Sequence, residues 1–229
     1  YPLHYMCLIL LISYSLDVYY IRMQNYLKAL YDILKNYQLY SFTILINEIM
    51  FQLIYNKEFN RFKYLNSKFQ SDSIPCPFFF LKKIKKFTSQ NNIDYFCDLG
   101  SGYGKILYFF GILNKYKIDG VELDKEIYLE SLNLKNDNIK IYNEDILKFD
   151  LTNRRYGLFI LNDPLKKKED LNKLILNIKK IYNQGYLIFI NLDQDKLKCA
   201  LENLNIIQST IISKTRNIIF CSIEKNTSV

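Results

Sequence analysis

Gly100, Gly102 and Gly104 alternate in "DLGSGYG", directly after a short apolar run and directly before a helix-like segment. Glycine lets a chain turn sharply and bring its backbone against a ligand, and the start of the next helix then offers unpaired N–H groups. Alone, the triplet is a weak signal that a simple tight turn also explains. Three acidic residues point further, to a nucleotide-like cofactor. Asp98 stands just before the loop. Glu122 lies 22 residues beyond Gly100, where a strand-end carboxylate accepts ribose hydroxyls. Asp145 follows in "YNEDILKF", where its carboxylate can accept from an adenine amine while the backbone of Ile146 meets the ring edge. The carboxylates also bear on cofactor type: a diphosphate repels them, whereas a cationic, amine-bearing cofactor is attracted.

The elements that must position these residues are legible from periodicity. From Ile93 onward, strands and helices alternate. Candidate strands are 94–99, 117–123, 139–143, 156–162, 185–191, 205–213 and 217–224, with helices at 104–114, 124–134, 169–183 and 193–203. Leu171, Leu174, Ile175, Ile178 and Ile181 keep a clear 3.6-residue period. Such alternation implies an α/β fold with a mostly parallel seven-stranded sheet covered on both faces, and with ligands gathered at the carboxyl ends of its strands. The last two strands lie too close for an intervening helix and predict an antiparallel hairpin.

Residues 1–73 are expected to form a helical N-terminal region and residues 74–229 the α/β domain. Within the first, Leu27, Leu30, Tyr31 and Leu34 share one helical face, and Ile46, Ile49, Met50, Leu53 and Ile54 another; both are expected core stripes. The two prolines of "SDSIPCPFFF" oppose a continuing helix and predict an extended turn, followed by a short amphipathic helix in "FLKKIKKFTSQ".

With 229 residues and 49% apolar content, the chain can bury one sizeable core. The net charge of +8 sits mainly in residues 1–90, where 11 basic residues face 5 acidic ones, against 20 and 18 in the remainder. Because Asn, Ile, Lys, Tyr and Phe are all abundant, this charge alone carries little information on partners. Five dispersed cysteines and one histidine argue against a metal centre and for a reducing, cytoplasmic compartment. The apolar stretch within residues 5–16 is cut short by Asp17, which favours a buried helix or a segment on a membrane surface over a spanning helix. The chain starts at Tyr1, so Met6 and Met23 are candidate natural starts.

Taken together, "DLGSGYG", "GVELD", "NEDI" and "LFILNDPL" resemble the motifs of the class I S-adenosylmethionine-dependent methyltransferase family, over roughly residues 74–224. The resemblance implies a Rossmann-like sheet with the antiparallel terminal hairpin and S-adenosyl-L-methionine as cofactor. Asp98 and the backbone of Gly100, Ser101 and Gly102 would hold its methionine part, Glu122 its ribose, and Asp145 with Ile146 its adenine. "NDPL" resembles the (Asp/Asn)-Pro-Pro-aromatic motif of amino-methylating enzymes. Asn162 would orient an amine, Asp163 accept its proton, and Pro164 shape the turn.

Asp163 replaces the first proline of that motif and Leu165 the aromatic residue that would stack on a flipped base, so the likeness to adenine methylases is weakened and "NDP" is equally an Asx-type turn. The implied partner is a methyl acceptor, with a protein lysine favoured over nucleic acid or a small molecule. "SIPCPFFFLKK" resembles a lid segment of small methyltransferases, including lysine-methylating ones, in which Pro75 and Pro77 would shape a cover lined by Phe78 or Phe79; a plain linker with its phenylalanines in the core is the other reading. A scaffold that keeps the fold without turnover, and a nicotinamide-dependent oxidoreductase, are the alternatives from other classes.

Overall fold

The computed structural model describes residues 41–55, 73–152, 154–213 and 216–224, without the side chains of 41–45, 54 and 55. The stripe from Leu27 to Leu34 and the apolar segment at 5–16 lie outside these residues. Among the described residues, no helix is long and apolar enough to cross a membrane.

Seven strands form one sheet: β1 (Tyr95–Leu99), β2 (Lys117–Val121), β3 (Ile139–Tyr142), β4 (Leu158–Asn162), β5 (Gln184–Ile190), β6 (Asn205–Ser213) and β7 (Arg216–Glu224), in the order β3-β2-β1-β4-β5-β7-β6. The first five are parallel. β7 returns antiparallel between β5 and β6, as the short connection requires. The helices are α1 (Ser41–Tyr55), α2 (Phe78–Gln90), α3 (Lys105–Leu107, continuing as a π-helical turn Tyr108–Leu113), α4 (Lys125–Ser131), α5 (Lys168–Ile181) and α6 (Gln194–Asn203).

Period-2 alternation sends successive residues of β1 to opposite faces. Phe96 enters the core formed with α1, α2 and α3, built around Phe51, Phe80, Leu81, Ile84 and Phe110. Cys97 and Leu99 enter the core formed with α5 and α6, around Leu171, Leu174, Ile175, Ile178 and Ala200. The sheet is therefore covered on both faces, and the carboxyl ends of β1, β2 and β4 meet along one edge.

The face of α1 differs from the expected one. Ile46, Ile49, Met50 and Leu53 are exposed, Leu53 at 75%, whereas Glu48 and Phe51 are buried. Phe51 packs on Phe78 and Tyr108, with ring centroids 4.6 and 6.5 Å apart. Glu48 tolerates burial because its carboxylate accepts from the Phe78 N–H and from Lys105 Nζ.

Candidate active site

The glycine loop begins where β1 ends. The N–H groups of Gly100 and Ser101 both donate to Val121 O at the end of β2, at 2.9 and 3.0 Å. Gly100 has φ +89°, and a Cβ there would lie 2.4 Å from Pro164 Cβ. The "NDPL" turn is thus packed directly against the loop. Gly102 has φ +53°, and its missing Cβ leaves room for Ser73 Oγ, which would otherwise be 3.1 Å away. Ser73 belongs to the proline-containing segment, which therefore touches the loop at Gly102. Its phenylalanines go elsewhere: Phe78 packs edge-on against Phe109 in the core, and the half-buried Phe79 lies beneath Lys83 Nζ.

Asp98 is fully buried, and neither carboxylate oxygen has a hydrogen-bond partner among the described residues; the same holds for the buried Ser101 Oγ. Burial, and secondarily the nearby Glu122 carboxylate, push the Asp98 carboxyl well above the usual carboxylate range. An uncompensated buried carboxyl is costly and calls for a donor from outside the protein.

Glu122, 7% exposed, sits one residue beyond β2. Its Oε2 accepts from Gly102 N at 2.9 Å and its Oε1 from Asp124 N at 2.8 Å. Burial raises its pKa, and these N–H groups oppose the rise. A carboxylate has about four lone-pair positions, so capacity for further donors remains. Asn143 braces this corner by donating to the main-chain oxygens of Glu122 and Leu123, at 2.9 and 3.1 Å.

Asp145 is half-buried and opens a turn: its Oδ1 accepts from Leu147 N at 3.0 Å, and its main-chain oxygen accepts from Lys148 and Phe149, each at 2.9 Å. Ile146 is buried beside it in the sequence. The same connection is held from below by Arg154, whose guanidinium lies over the Tyr142 and Phe149 rings and pairs with the buried Asp119 at 3.1 Å.

At the end of β4, Asn162 donates from Nδ2 to Ile74 O at 2.6 Å and accepts at Oδ1 from Asn191 Nδ2 at 2.8 Å. Asp163 adopts a left-handed φ of +45°, and its Oδ1 takes a 2.5 Å hydrogen bond from Lys196 Nζ, itself buried in α6. Burial raises the Asp163 carboxyl against the opposing pull of Lys196. Leu165 is buried in the second core. The structure therefore brings Asn162, Asp163 and Pro164 onto the same edge as Asp98 and the glycine loop. Asn143, Asn191, Lys196 and the Glu48–Lys105 pair carry no local sequence signal that marks them as members of this neighbourhood.

No protein-family model matches the sequence. A carboxy-S-adenosyl-L-methionine synthase from Staphylococcus epidermidis is 31% identical over 108 residues, which are 46% of this chain and 47% of that protein. The chain thus spans about half the length of the curated relative it matches. Among solved structures, an RNA methyltransferase from Salinibacter ruber in complex with S-adenosyl-L-homocysteine superposes with a TM-score of 0.54 and 14% identity, over 67% of this chain and 95% of that one. A putative RNA methyltransferase from Pyrococcus horikoshii gives 0.50 and 20%, over 66% and 85%. Strand order, the reversed terminal hairpin and the glycine loop after β1 give the chain the Rossmann-like fold of the class I S-adenosylmethionine-dependent methyltransferases.

Proposed function

We propose that the chain binds S-adenosyl-L-methionine and transfers its methyl group to an amine, with a protein lysine as the favoured acceptor. The observation that carries this reading is the orphaned buried Asp98 carboxyl just before the glycine loop, with the equally orphaned Ser101 Oγ three residues on. These groups fit a cationic, donor-rich ligand: Asp98 takes the ammonium of the methionine part, the backbone of Gly100 to Gly102 lies against it, and Glu122 accepts from the ribose. Asp145 and Ile146, which follow β3, take the adenine in this reading.

When bound, the cofactor would supply an activated methyl on a sulfonium, so that an N–C bond could form as the S–C bond breaks, the S–C electron pair staying on sulfur and the nitrogen shedding a proton. The residues of the chain mainly place and desolvate. Asn162, its amide held at both ends, presents a carbonyl oxygen to an N–H of the amine. Asp163, made more basic by burial, receives the proton. Leu165 lies in the core and offers no ring for a base to stack on, which favours an aliphatic amine over a flipped nucleobase. The cytoplasmic site of action we propose rests on the dispersed spacing of the five cysteines, none of them in a C-x-x-C pair.

The likeness to the synthase favours a second reading, in which S-adenosylmethionine is itself the substrate and is converted to a carboxylated derivative. One experiment tests both. The protein is incubated with methyl-labelled S-adenosylmethionine and cell extract fractionated into protein, RNA, DNA and metabolites. Label in the protein fraction supports lysine methylation, label in nucleic acid moves the acceptor class, and label confined to an altered cofactor supports the synthase reading. Binding with no label moved anywhere defeats all of these.

A further inference from the structure

We propose that Asn191 is a positioning residue for this transfer: it secures the Asn162 amide, whose direction Ile74 O sets, and leaves its own Oδ1 as a second acceptor for the incoming amine. The proposal rests on the amine-methylation reading above.

The direction of the hydrogen bonds decides the matter. Ile74 O can only accept, so the Asn162 atom facing it at 2.6 Å is Nδ2. Asn162 therefore turns Oδ1 toward Asn191, and only Asn191 Nδ2 can meet it, at 2.8 Å. Asn191 Oδ1 is then left over. It is buried, on a residue only 6% exposed, and has no partner among the described residues. A buried carbonyl of this kind persists where a ligand supplies the missing donor.

Asn191 is not free to turn away. Its φ of +61° is a left-handed conformation, sparsely populated for residues other than glycine. Strand β7 holds it there: Asn191 N donates to Asn217 O at 2.9 Å, and the Asn217 amide grips both main-chain groups of Leu192, at 3.2 and 2.7 Å. Asn217 is itself buried. Backbone strain held in this way is typical of functional sites. The result is two carbonyl oxygens, on Asn162 and Asn191, separated by one amide nitrogen and one hydrogen bond. They suit a nitrogen with two N–H bonds, so the acceptor class is a primary amine. Holding both N–H groups leaves the lone pair as the one direction open to the methyl.

The test uses the purified full chain, methyl-labelled S-adenosylmethionine and the extract fraction that the parent protein labels. Asn191→Gly keeps the left-handed backbone but removes the amide; it should lower turnover at saturating acceptor by roughly a hundredfold, with cofactor affinity by calorimetry within about twofold of the parent. Asn191→Asp is isosteric and carries the test if the glycine variant fails to fold. Its carboxylate cannot donate to Asn162 Oδ1, whereas its protonated form can, so its rate relative to the parent should rise as pH falls. A merely structural role would depress melting temperature and cofactor affinity together with turnover, at a ratio that does not depend on pH. Parent-like turnover in Asn191→Gly, or a flat ratio in Asn191→Asp, overturns the proposal. A parent that labels no fraction overturns the methyltransferase reading, and the proposal with it.

Discussion

Glu48 and Lys105, 57 residues apart in sequence, form a buried ion pair with Nζ 2.7 Å from Oε2. The other Glu48 oxygen accepts from the Phe78 N–H, at the first residue of α2. Lys105 opens α3 immediately after Gly104 and also lies 5.4 Å from the Phe51 ring centroid. One carboxylate thus joins α1, the start of α2 and the helix behind the glycine loop.

Breaking a buried pair from one side leaves the other charge stranded, so Lys105→Met should cost about 3–5 kcal/mol of stability. Adding Glu48→Gln should recover part of that loss, because the amide oxygen still accepts from Phe78 N while the stranded charge is gone. Urea denaturation of the two single variants and the double variant measures the coupling. Strictly additive losses would show that the pair contributes no interaction energy.

The extent to which the sequence reveals these features follows from how local each signal is. Every candidate strand from 94 to 224 is present, with ends displaced by no more than two residues, because period-2 and period-3.6 patterns are set by neighbours along the chain. The placement of Asp98 near the end of β1, and of Glu122 and Asp145 just beyond β2 and β3, was legible for the same reason: each follows or ends an apolar run beside a turn signal. The face of α1 was not. "SFTILINEIMFQLIY" is apolar on more than one side, so periodicity offers several stripes, and the buried one is decided by Lys105, far away in sequence. Asn143, Asn191 and Lys196 were equally hidden, since an isolated Asn or Lys says nothing until the sheet brings it beside a partner.

Asp98 should trade stability against function. Its carboxyl is raised in the folded protein, so the protonated form is the one the fold favours. Stability is then lost as pH rises from the unfolded carboxylate value of about 3.9 through the folded pKa. Asp98→Asn removes that loss and should melt at or above the parent temperature at neutral pH, while binding of S-adenosylmethionine is abolished. On the proposed role of Asp98, capture of the cofactor ammonium would require the ionised carboxylate, so binding should release a proton. Affinity should accordingly increase with pH up to the free-protein pKa. Calorimetry in buffers of different ionisation enthalpy reads this release directly, and zero proton exchange would remove Asp98 from the ammonium site.

Glu122→Gln is not a mild substitution in this setting. Each carboxylate oxygen already accepts a main-chain N–H, from Gly102 and from Asp124, so the amide must turn its NH2 toward one of them. Losing that bond and facing two donors together should cost about 1–3 kcal/mol in stability. Cofactor affinity should fall by a similar free energy, since the ribose loses a charged acceptor and the glycine loop its tether. Thermal melts with and without S-adenosylmethionine separate the two effects. Ligand-induced stabilisation equal to that of the parent would show that the ribose lies elsewhere.

Gly100 and Gly102 should differ in their tolerance of a methyl group, although both have positive φ. At Gly100 the new Cβ meets Pro164 Cβ at 2.4 Å, an atom fixed by the pyrrolidine ring, and the φ of +89° adds backbone strain. Left-handed strain of about 1–2 kcal/mol and overpacking of about 1–3 kcal/mol add, so Gly100→Ala should lose about 2–5 kcal/mol. It should also push the "NDPL" turn away from the loop. At Gly102 the first atom met is Ser73 Oγ at 3.1 Å, a hydroxyl that can rotate, so Gly102→Ala should lose only about the 1–2 kcal/mol of strain. If Gly102 backs the methionine part of the cofactor as proposed, the effect of this substitution should instead fall on cofactor affinity. Paired denaturation and binding measurements should therefore rank Gly100→Ala worse for stability. Equal stability losses in the two variants would mean that Pro164 does not abut the loop in solution.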